Sequence, residues 1–587
     1  MDLYSFYMGQ CFDAYQFFGA HYENGKTTFR TFAPEADHIS LIGEFSSWQE
    51  LPMKKVADGN VYELSVDGAV PGMMYKYKIY SKNGVDTDHC DPYGFGMELR
   101  PNSASYIRDL SEYTFHDSLW MRRRSDCKTR PLNIYEVHLG SWRKKDNDSE
   151  TGWYTYDEIA DQLIDYVKDC GYNYVEVMPL SEHPSDESWG YQNTGFFSPT
   201  SRYGTATQLK QFVDKLHQNN IGVIMDFVPV HFALDAYGLH MYDGTALYEY
   251  PHYHVGDSEW GSRNFMHSRG EVRSFLQSAA NFWLEEFHFD GLRMDAIRNL
   301  IYWQGDEGRG ENKNAIDFLR VMNQGLKHRH PTAILAAEDS TAYPNVTKPA
   351  HKGGLGFDYK WDLGWMHDTL EYFQTAPEYR SRDYHKLTFS MHYFYNERFL
   401  LPLSHDEVVH GKATIAQKMN GDYDLKFPQA KALYLYMYGH PGKKLNFMGN
   451  EIAQLREWDE KREQDWGILT YPNHDDFHRF IKKLNRIYLK YPALSVWDFD
   501  PRGFSWLDCH QEEKCIYAFL RTDGKQKIAC VFNFSDKTQD YTLELPNSKQ
   551  LTLLITNEWH TEETVSVKGG QAKLTLAPFA GRYYLVK

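Results

Sequence analysis

Residues 130–491 alternate short apolar runs with amphipathic segments, and this alternation constrains the fold more than any other feature of the sequence. Eight runs have the length and composition of buried β-strands: 133–139, 174–179, 222–229, 291–295, 333–338, 356–360, 399–404 and 444–448. Helical patterns lie between most of them, for example at 157–170, 206–219, 271–287 and 314–328. Eight strands with crossover helices predict a (β/α)8 TIM barrel, in which active sites lie at the C-terminal ends of the strands.

The regions on either side of this segment have a different texture. Residues 28–107 and 504–587 show short alternating runs broken by Gly, Pro, Asn and Asp, which is typical of antiparallel sandwiches. A chain of 587 residues is also too long for one hydrophobic core. We therefore predict an N-terminal β-sandwich at 1–118, a barrel at 119–490 with a long loop excursion at about 231–270, and a C-terminal all-β sandwich at 491–587.

Charge and composition exclude several classes of partner. With 63 Lys and Arg against 80 Asp and Glu, the formal net charge of −17 argues against binding to nucleic acid or to an anionic membrane. The seven cysteines are scattered without a CxxC or zinc-finger spacing, and we find neither an export signal nor a long apolar stretch. We expect a cytoplasmic protein, a monomer or weak oligomer, with no metal site and no cofactor.

Four carboxylates follow or end predicted strands three, four, five and seven: Asp226, Asp295, Glu338 and Asp406. A single Asp at a strand end more often caps a turn than takes part in chemistry. An ionised carboxylate is costly to bury unless it is paired or used, so four such placements on one barrel favour a functional explanation. Chemistry on glycosidic bonds, which uses paired carboxylates, fits this pattern.

The spacing around two of these carboxylates indicates different roles. Arg293 and Asp295 are two apart on a strand, so their side chains point the same way and the guanidinium can keep Asp295 ionised, as a nucleophile requires. A structural ion pair is the alternative. Glu338 follows the apolar run ILAA with no adjacent cation, an environment that raises the pKa of a general acid. His405 and Asp406 would supply a donor and a third carboxylate near the transition state.

The segments DFVPVH at 226–231, GLRMDA at 291–296, AEDS at 337–340 and LSHDE at 403–407 resemble the signature regions of the α-amylase superfamily, glycoside hydrolase family 13. Longer stretches, such as WLEEFHFDGLRMDAI at 283–297, most closely resemble the 1,4-α-glucan branching enzymes, and the likeness runs over nearly the whole chain. The resemblance implies a nucleophile at Asp295, a general acid/base at Glu338 and a transition-state stabiliser at Asp406. It further implies that the sugar beside the cleaved bond is held by Tyr191, Asp226, His231, Arg293 and His405.

The reaction that this resemblance implies is the transfer of an α-1,4-glucan segment to a 6-hydroxyl with retained configuration. Amylose or glycogen would serve as both donor and acceptor. The flanking regions agree, because TFRTFAPEA at 28–36 and DPYGF at 91–95 resemble carbohydrate-binding module family 48, and the C-terminal sandwich resembles the all-β domain of the superfamily. Trp48 in the N-terminal module either contacts glucan or fills the core.

Two alternatives stay open at this point. The first is a hydrolase on the same scaffold, such as an α-amylase, a debranching enzyme or a trehalose-releasing enzyme, in which water replaces the sugar acceptor. The second is a glucan-binding protein without catalysis. The carboxylates would serve a hydrolase equally well, so the preference for transfer depends on the resemblance alone.

Overall fold

A computed structural model describes residues 1–559 and 561–587. The eight predicted strands are present and form a closed barrel in chain order. Their bounds are Asn133–Val137, Tyr174–Val177, Gly222–Phe227, Gly291–Met294, Ile334–Ala337, Tyr359–Trp361, Phe399–Leu403 and Lys443–Phe447. The predicted (β/α)8 barrel is confirmed.

The chain divides into two compact units, and each contains part of the barrel sheet. The first comprises Met1–Arg124, His138–Ile164 and Glu176–Phe357, and the second comprises Ser125–Val137, Asp165–Val175 and Asp358–Lys587. In the first unit, strands three, four and five pair in parallel, with Asp226 opposite Arg293 and Arg293 opposite Ala336. In the second unit, strands six, seven and eight pair in parallel, and strand eight also pairs with strand one.

The sequence explains where the helices begin and which of their faces are buried. In helix Ala206–Gln218, the Thr205 side chain accepts the N–H of Gln208 while the Gln208 side chain accepts the N–H of Thr205, a capping box. Leu209, Phe212 and Leu216 line its buried face at helical spacing. The longer helices are Tyr156–Cys170, Ala206–Gln218, Gly270–Glu285, Lys313–Arg329, Leu363–Gln374, Tyr423–Gly439 and Pro472–Lys490. The four predicted helices are confirmed.

Shorter elements lie before the barrel and between its strands. One-turn and two-turn helices span Leu3–Tyr7, Ser118–Arg123, Leu139–Trp142, Tyr253–Gly256, Arg298–Ile301, Lys386–Phe389 and Ile415–Lys418. Ser181–Glu182 pairs with Gly195–Pro199, and His231–Phe232 pairs with Arg263–Asn264 within the long excursion after strand three. Within the described residues, no helix has both the length and the apolar character needed to cross a membrane.

The N-terminal part of the first unit consists of two antiparallel sheets, as the alternating pattern predicts. One sheet contains, in spatial order, Gly19–Glu23, Lys26–Phe32, Val61–Asp67 and Lys54–Val56. The other contains Leu51–Pro52, Ala36–Gly43, Met74–Ser81 and Asp86–His89, with Ser105–Tyr106 also paired to Met74–Ser81. Trp48 lies in the connection after Ala36–Gly43 and is 41% exposed, so the alternative that it fills the core is wrong.

The C-terminal part of the second unit is also all β. Its larger sheet contains, in order, Phe504–Gln511, Ile516–Thr522, Lys527–Asn533, Gly581–Val586, Gln550–Thr556 and Thr564–Ser566. A second sheet pairs Gln539–Glu544 with Gln571–Leu576. Alternate residues of both sheets, among them Val531, Leu543, Leu574 and Tyr584, form a buried apolar cluster. The predicted C-terminal all-β domain is confirmed.

Candidate active site

Arg293 is the centre of a buried polar cluster in the first unit. Its Nη1 donates to both oxygens of Asp226, at 2.7 and 2.6 Å, and to Asp295 Oδ1 at 2.8 Å. Burial disfavours a charged guanidinium, but the neighbouring carboxylates, Asp226 foremost, raise the pKa of Arg293 well above its ordinary value. The contact between Arg293 and Asp295 is the one predicted from their spacing. The sequence did not predict that Asp226 would be a second carboxylate partner of Arg293.

The carboxylates around Arg293 differ in their access to solvent. The side chains of Arg293 and Asp226 are each 1% exposed, whereas those of Asp295 and Glu338 are 17% and 20% exposed. Asp295 and Glu338 directly follow strands four and five. The two carboxylates with the proposed chemical roles are therefore the two that a substrate could reach.

Glu338 is held by the turn that follows strand four. Its Oε2 accepts the backbone N–H of Ala296 at 2.7 Å and lies 3.9 Å from Arg293 Nη2. Ala296 has a φ of 50°, a left-handed conformation that is costly for a residue other than glycine and is often found at functional sites. The expectation that Glu338 has no adjacent cation is wrong, because Arg293 approaches it from the neighbouring strand. The raised pKa of Glu338 stays a prediction.

Tyr191 and His231 occupy different positions relative to this cluster. Tyr191 Oη donates to Asp226 Oδ2 at 2.5 Å and accepts from Arg293 Nη1 at 3.3 Å, so Tyr191 belongs to the cluster. His231 Nδ1 lies 2.8 Å from Ser262 Oγ. Burial lowers the pKa of His231 to about 4, so its imidazole is neutral at neutral pH.

A second polar cluster surrounds His405 in the second unit. The backbone N–H of His405 donates to Glu136 Oε2 at 3.0 Å, and its ring Nδ1 lies 2.5 Å from Glu136 Oε1. Its other ring nitrogen, Nε2, lies 3.6 Å from Asp406 Oδ1. The His405 and Glu136 side chains are buried, whereas that of Asp406 is 53% exposed. The structure thus places the predicted donor His405 beside the predicted third carboxylate.

Glu136 is the residue of this cluster that the sequence analysis missed. It lies inside strand one, in the run NIYEVHL, and its side chain is 1% exposed. A charged residue inside a predicted buried strand is the signal that could have found it, because such a charge is costly without a partner. Glu136 lacks the turn motif that follows the other carboxylates, so the pattern that identified those residues does not identify Glu136.

The described residues contain no group of three or more His, Cys, Asp or Glu side chains arranged to hold a metal ion. The side chains of the two clusters supply carboxylate, guanidinium, phenol and imidazole groups. These are sufficient for nucleophilic and acid–base catalysis.

Comparison with known proteins supports each part of the fold. Residues 17–94 match carbohydrate-binding module 48, described as the isoamylase N-terminal domain. Residues 143–244 match the α-amylase catalytic domain, and residues 506–587 match the α-amylase C-terminal all-β domain. A pullulanase from Anoxybacillus sp. LM18-11, solved with maltotetraose, has the same fold at a TM-score of 0.74 and 17% identity, covering 100% of this chain and 89% of the pullulanase. These matches define the class of the fold, an α-amylase type of barrel with two flanking β domains.

Three relatives are similar over nearly their full length, and each is a 1,4-alpha-glucan branching enzyme GlgB. The Aquifex aeolicus protein is 45% identical, with 93% of this chain and 89% of the relative covered. The Fusobacterium nucleatum protein is 44% identical with the same coverage, and the Bacillus subtilis protein is 41% identical over 99% of this chain and 93% of its own length. The chain belongs to the family of 1,4-α-glucan branching enzymes within the α-amylase superfamily.

Proposed function

We propose that the protein creates α-1,6 branches in α-glucan by a retaining double displacement with Asp295 as nucleophile. The observation that carries the proposal is the contact of 2.8 Å between Asp295 Oδ1 and the fully buried Arg293, with Asp295 still open to solvent. A guanidinium at this distance keeps the carboxylate ionised, and the partly exposed side chain can reach an anomeric carbon.

In the first step, Asp295 attacks the anomeric carbon of an α-1,4 linkage. Glu338 donates its proton to the departing 4-oxygen, so the glycosidic bond breaks as the ester to Asp295 forms. In the second step, Glu338 removes the proton from a 6-hydroxyl of a glucan chain, whose oxygen attacks the same carbon and releases Asp295. Two inversions leave the α configuration unchanged.

The remaining site residues are assigned supporting roles. Asp406 stabilises the positive charge that develops on the sugar ring, as an anionic group near an oxocarbenium-like centre does. We assign the binding of the sugar beside the cleaved bond to Tyr191, Asp226, His231, Arg293 and His405. The neutral imidazole of His231 suits this role because it adds no positive charge next to the developing cation.

We further propose that amylose and glycogen serve as donor and acceptor, and that the protein acts in the cytoplasm as a monomer or weak oligomer without a cofactor. The relatives' name specifies a 1,4-α-glucan, and residues 17–94 match a carbohydrate-binding module. The exposed ring of Trp48 in that module offers a flat apolar face to a sugar. The proposed domain limits are 1–118, 119–490 and 491–587.

The products formed from amylose test this function. Branching converts α-1,4 into α-1,6 linkages with few new reducing ends, which proton NMR and a reducing-end assay measure together. A hydrolase would instead raise reducing ends with every bond broken and create no α-1,6 signal. The Asp295→Asn variant, purified in parallel, controls for contaminating activity; equal activity in that variant would reject the proposed nucleophile.

A further inference from the structure

One buried carboxylate, Glu136, binds His405 at two points. Glu136 Oε2 accepts the backbone N–H at 3.0 Å and Oε1 lies 2.5 Å from ring Nδ1, so both carboxylate oxygens contact a single residue. Among the described residues, the ion-pair contact of Glu136 is also with His405. The buried carboxylate of Glu136 is therefore satisfied chiefly by its hydrogen bonds with His405.

These contacts determine which ring nitrogen of His405 carries a proton. An ionised carboxylate can only accept, so Nδ1 must be the N–H that faces Glu136. Nε2 is then the nitrogen left to interact outside the pair, and it lies on the side of Asp406, 3.6 Å from Oδ1. A carboxylate behind an imidazole in this way fixes both the ring orientation and the tautomer.

The surroundings hold Glu136 in place. It is the fourth of the five residues of strand one, opposite Phe447 of strand eight, and its backbone C=O accepts the N–H of Met448 at 2.9 Å. The rings of Phe447 and Trp458 meet the His405 ring edge-on, with centroids 6.0 and 6.1 Å away. The imidazole therefore has little freedom to turn without losing both packing and its hydrogen bond.

We propose that Glu136 is a positioning residue for catalysis, acting through His405 by holding its ring so that Nε2 faces the substrate. This inference rests on the proposed function, in which His405 holds the sugar beside the cleaved bond. Glu136 itself does not touch the substrate in this scheme. Its removal should slow the transfer step without changing the binding of long glucans, which extends well beyond one sugar.

The Glu136→Gln variant removes the charge at almost constant volume and replaces one of the two accepting oxygens with an NH2 donor, so it cannot reproduce both contacts. We expect kcat for branching of amylose to fall about 10- to 100-fold, with KM within about twofold of the original. The stricter test is a double-mutant cycle with His405→Ala. If Glu136 acts through His405, the double variant should be no slower than His405→Ala alone. Multiplied losses in the double variant would overturn the proposal.

Glu451 provides a matched control in the same unit. It is also fully buried and accepts the hydroxyls of Tyr135 and Tyr166 at 2.9 and 2.6 Å, so these hydrogen bonds are to residues other than His405. We expect Glu451→Gln to lower stability while kcat stays within about twofold. An equal loss of kcat in Glu451→Gln and Glu136→Gln would reject a specific role for Glu136.

One further variant, together with the single variant His405→Ala, keeps the test decisive. If Glu136→Gln does not fold, Glu136→Asp retains the charge on a shorter arm and should retain part of the activity; complete loss of activity in a folded Glu136→Asp protein would count against positioning through charge. If His405→Ala alone leaves kcat unchanged, then the role of His405 in the proposed function fails. A drop in Glu136→Gln on that background would show that Glu136 acts by another route.

Discussion

Two buried ionic clusters, one around Arg293 in the first unit and one around Asp498 in the second, differ in which charge is in excess. Arg293 faces three carboxylates, and two of these reach solvent. Asp498 is a single carboxylate between two cations, 3.0 Å from Lys443 Nζ and 2.7 Å from Arg521 Nη2, and all three side chains are 0% exposed.

Backbone carbonyl groups accept hydrogen bonds from Lys443 and Arg521 in addition to those that Asp498 accepts. Lys443 Nζ also donates to the C=O of Arg130 at 2.8 Å, and Arg521 Nη1 donates to the C=O of Gly439 at 2.7 Å. The protein therefore satisfies this cluster internally and away from solvent, whereas in the Arg293 cluster the side chains of Asp295 and Glu338 remain partly exposed. A cluster in which several carboxylates share one buried cation, and some of them reach solvent, is thus typical of a reactive site. A cluster that is fully buried and fully hydrogen-bonded is typical of a structural ion pair.

The largest effect should come from removing the surplus negative charge at Asp295. Asp295→Asn keeps the shape but abolishes the nucleophile, so branching of amylose should slow by at least about 10⁴-fold. The folded state should remain, because Arg293 keeps both contacts with Asp226. Activity is followed by new α-1,6 linkages and folding by circular dichroism. A folded variant with near-normal activity would make the Arg293 cluster merely structural.

The Asp498 cluster should respond in the opposite way. Asp498→Asn leaves Lys443 and Arg521 buried without a counter-ion, which should lower the free energy of unfolding by about 3–5 kcal/mol. The kcat of the folded fraction should stay within about twofold. Denaturant unfolding measures the first quantity and initial rates the second. Asp500→Asn, at the exposed pair of Asp500 with Arg502, is the control and should leave the unfolding midpoint nearly unchanged.

The two clusters also show what sequence patterns can and cannot predict. The contact of Arg293 with Asp295 follows from the two-residue period of a strand, and the barrel follows from eight apolar runs separated by helices. The proximity of Arg293 to Asp226 and to Glu338 depends instead on how strands three, four and five are aligned. Local spacing contains no information on that register.

The contact between Glu136 and His405 could not be predicted from local spacing for the same reason. These residues are 269 positions apart, and their contact depends on the closure of the sheet through strand eight. The burial of Glu136 and of His405 could each be inferred from the apolar residues beside them in sequence. That the two residues contact each other could not be inferred in this way. Sequence reasoning therefore identified the carboxylates at strand ends and missed the carboxylate inside a strand that holds the histidine.

Lowering the pH should destabilise the protein because it protonates His231, the buried neutral histidine of the candidate site. His231 has a pKa of about 4 in the folded chain, against roughly 6.5 when unfolded. Between these values the unfolded chain binds the extra proton, so the contribution of His231 to stability is complete above pH 6.5 and is lost progressively as the pH falls toward 4. From pH 7 to 4.5, wild type should lose about 2–3 kcal/mol more than His231→Gln in denaturant unfolding.

The exposed His328 supplies the control for this measurement. His328→Gln, at an exposed position of helix Lys313–Arg329, controls for the replacement of a histidine as such. If His231→Gln loses as much stability in acid as wild type, the site does not hold His231 in its neutral form. A charged His231 would also contradict its assigned role, in which the imidazole adds no positive charge next to the developing cation.

The smallest effect should come from Lys444, the neighbour of Lys443 on strand eight. Its Nζ donates to the C=O of His440 at 2.6 Å, and among the described residues no carboxylate lies within ion-pair distance of it. Burial lowers the pKa of Lys444 well below its ordinary value, the reverse of Arg293, whose carboxylates raise its pKa. Lys444→Met should therefore stabilise the protein at pH 7, by about 1–2 kcal/mol.

The pH dependence of this gain identifies its cause. The unfolded chain binds the Lys444 proton up to roughly pH 10.4, whereas the folded chain releases it at lower pH, so wild-type stability rises with pH in this interval. The advantage of Lys444→Met should consequently shrink between pH 7 and pH 10, as measured by denaturant unfolding. Lys443→Met should instead destabilise, because it removes a partner of Asp498. If both variants destabilised the protein equally at pH 7, Lys444 would stabilise the fold as Lys443 does. The lack of a carboxylate partner would then not identify a buried lysine that the fold can lose.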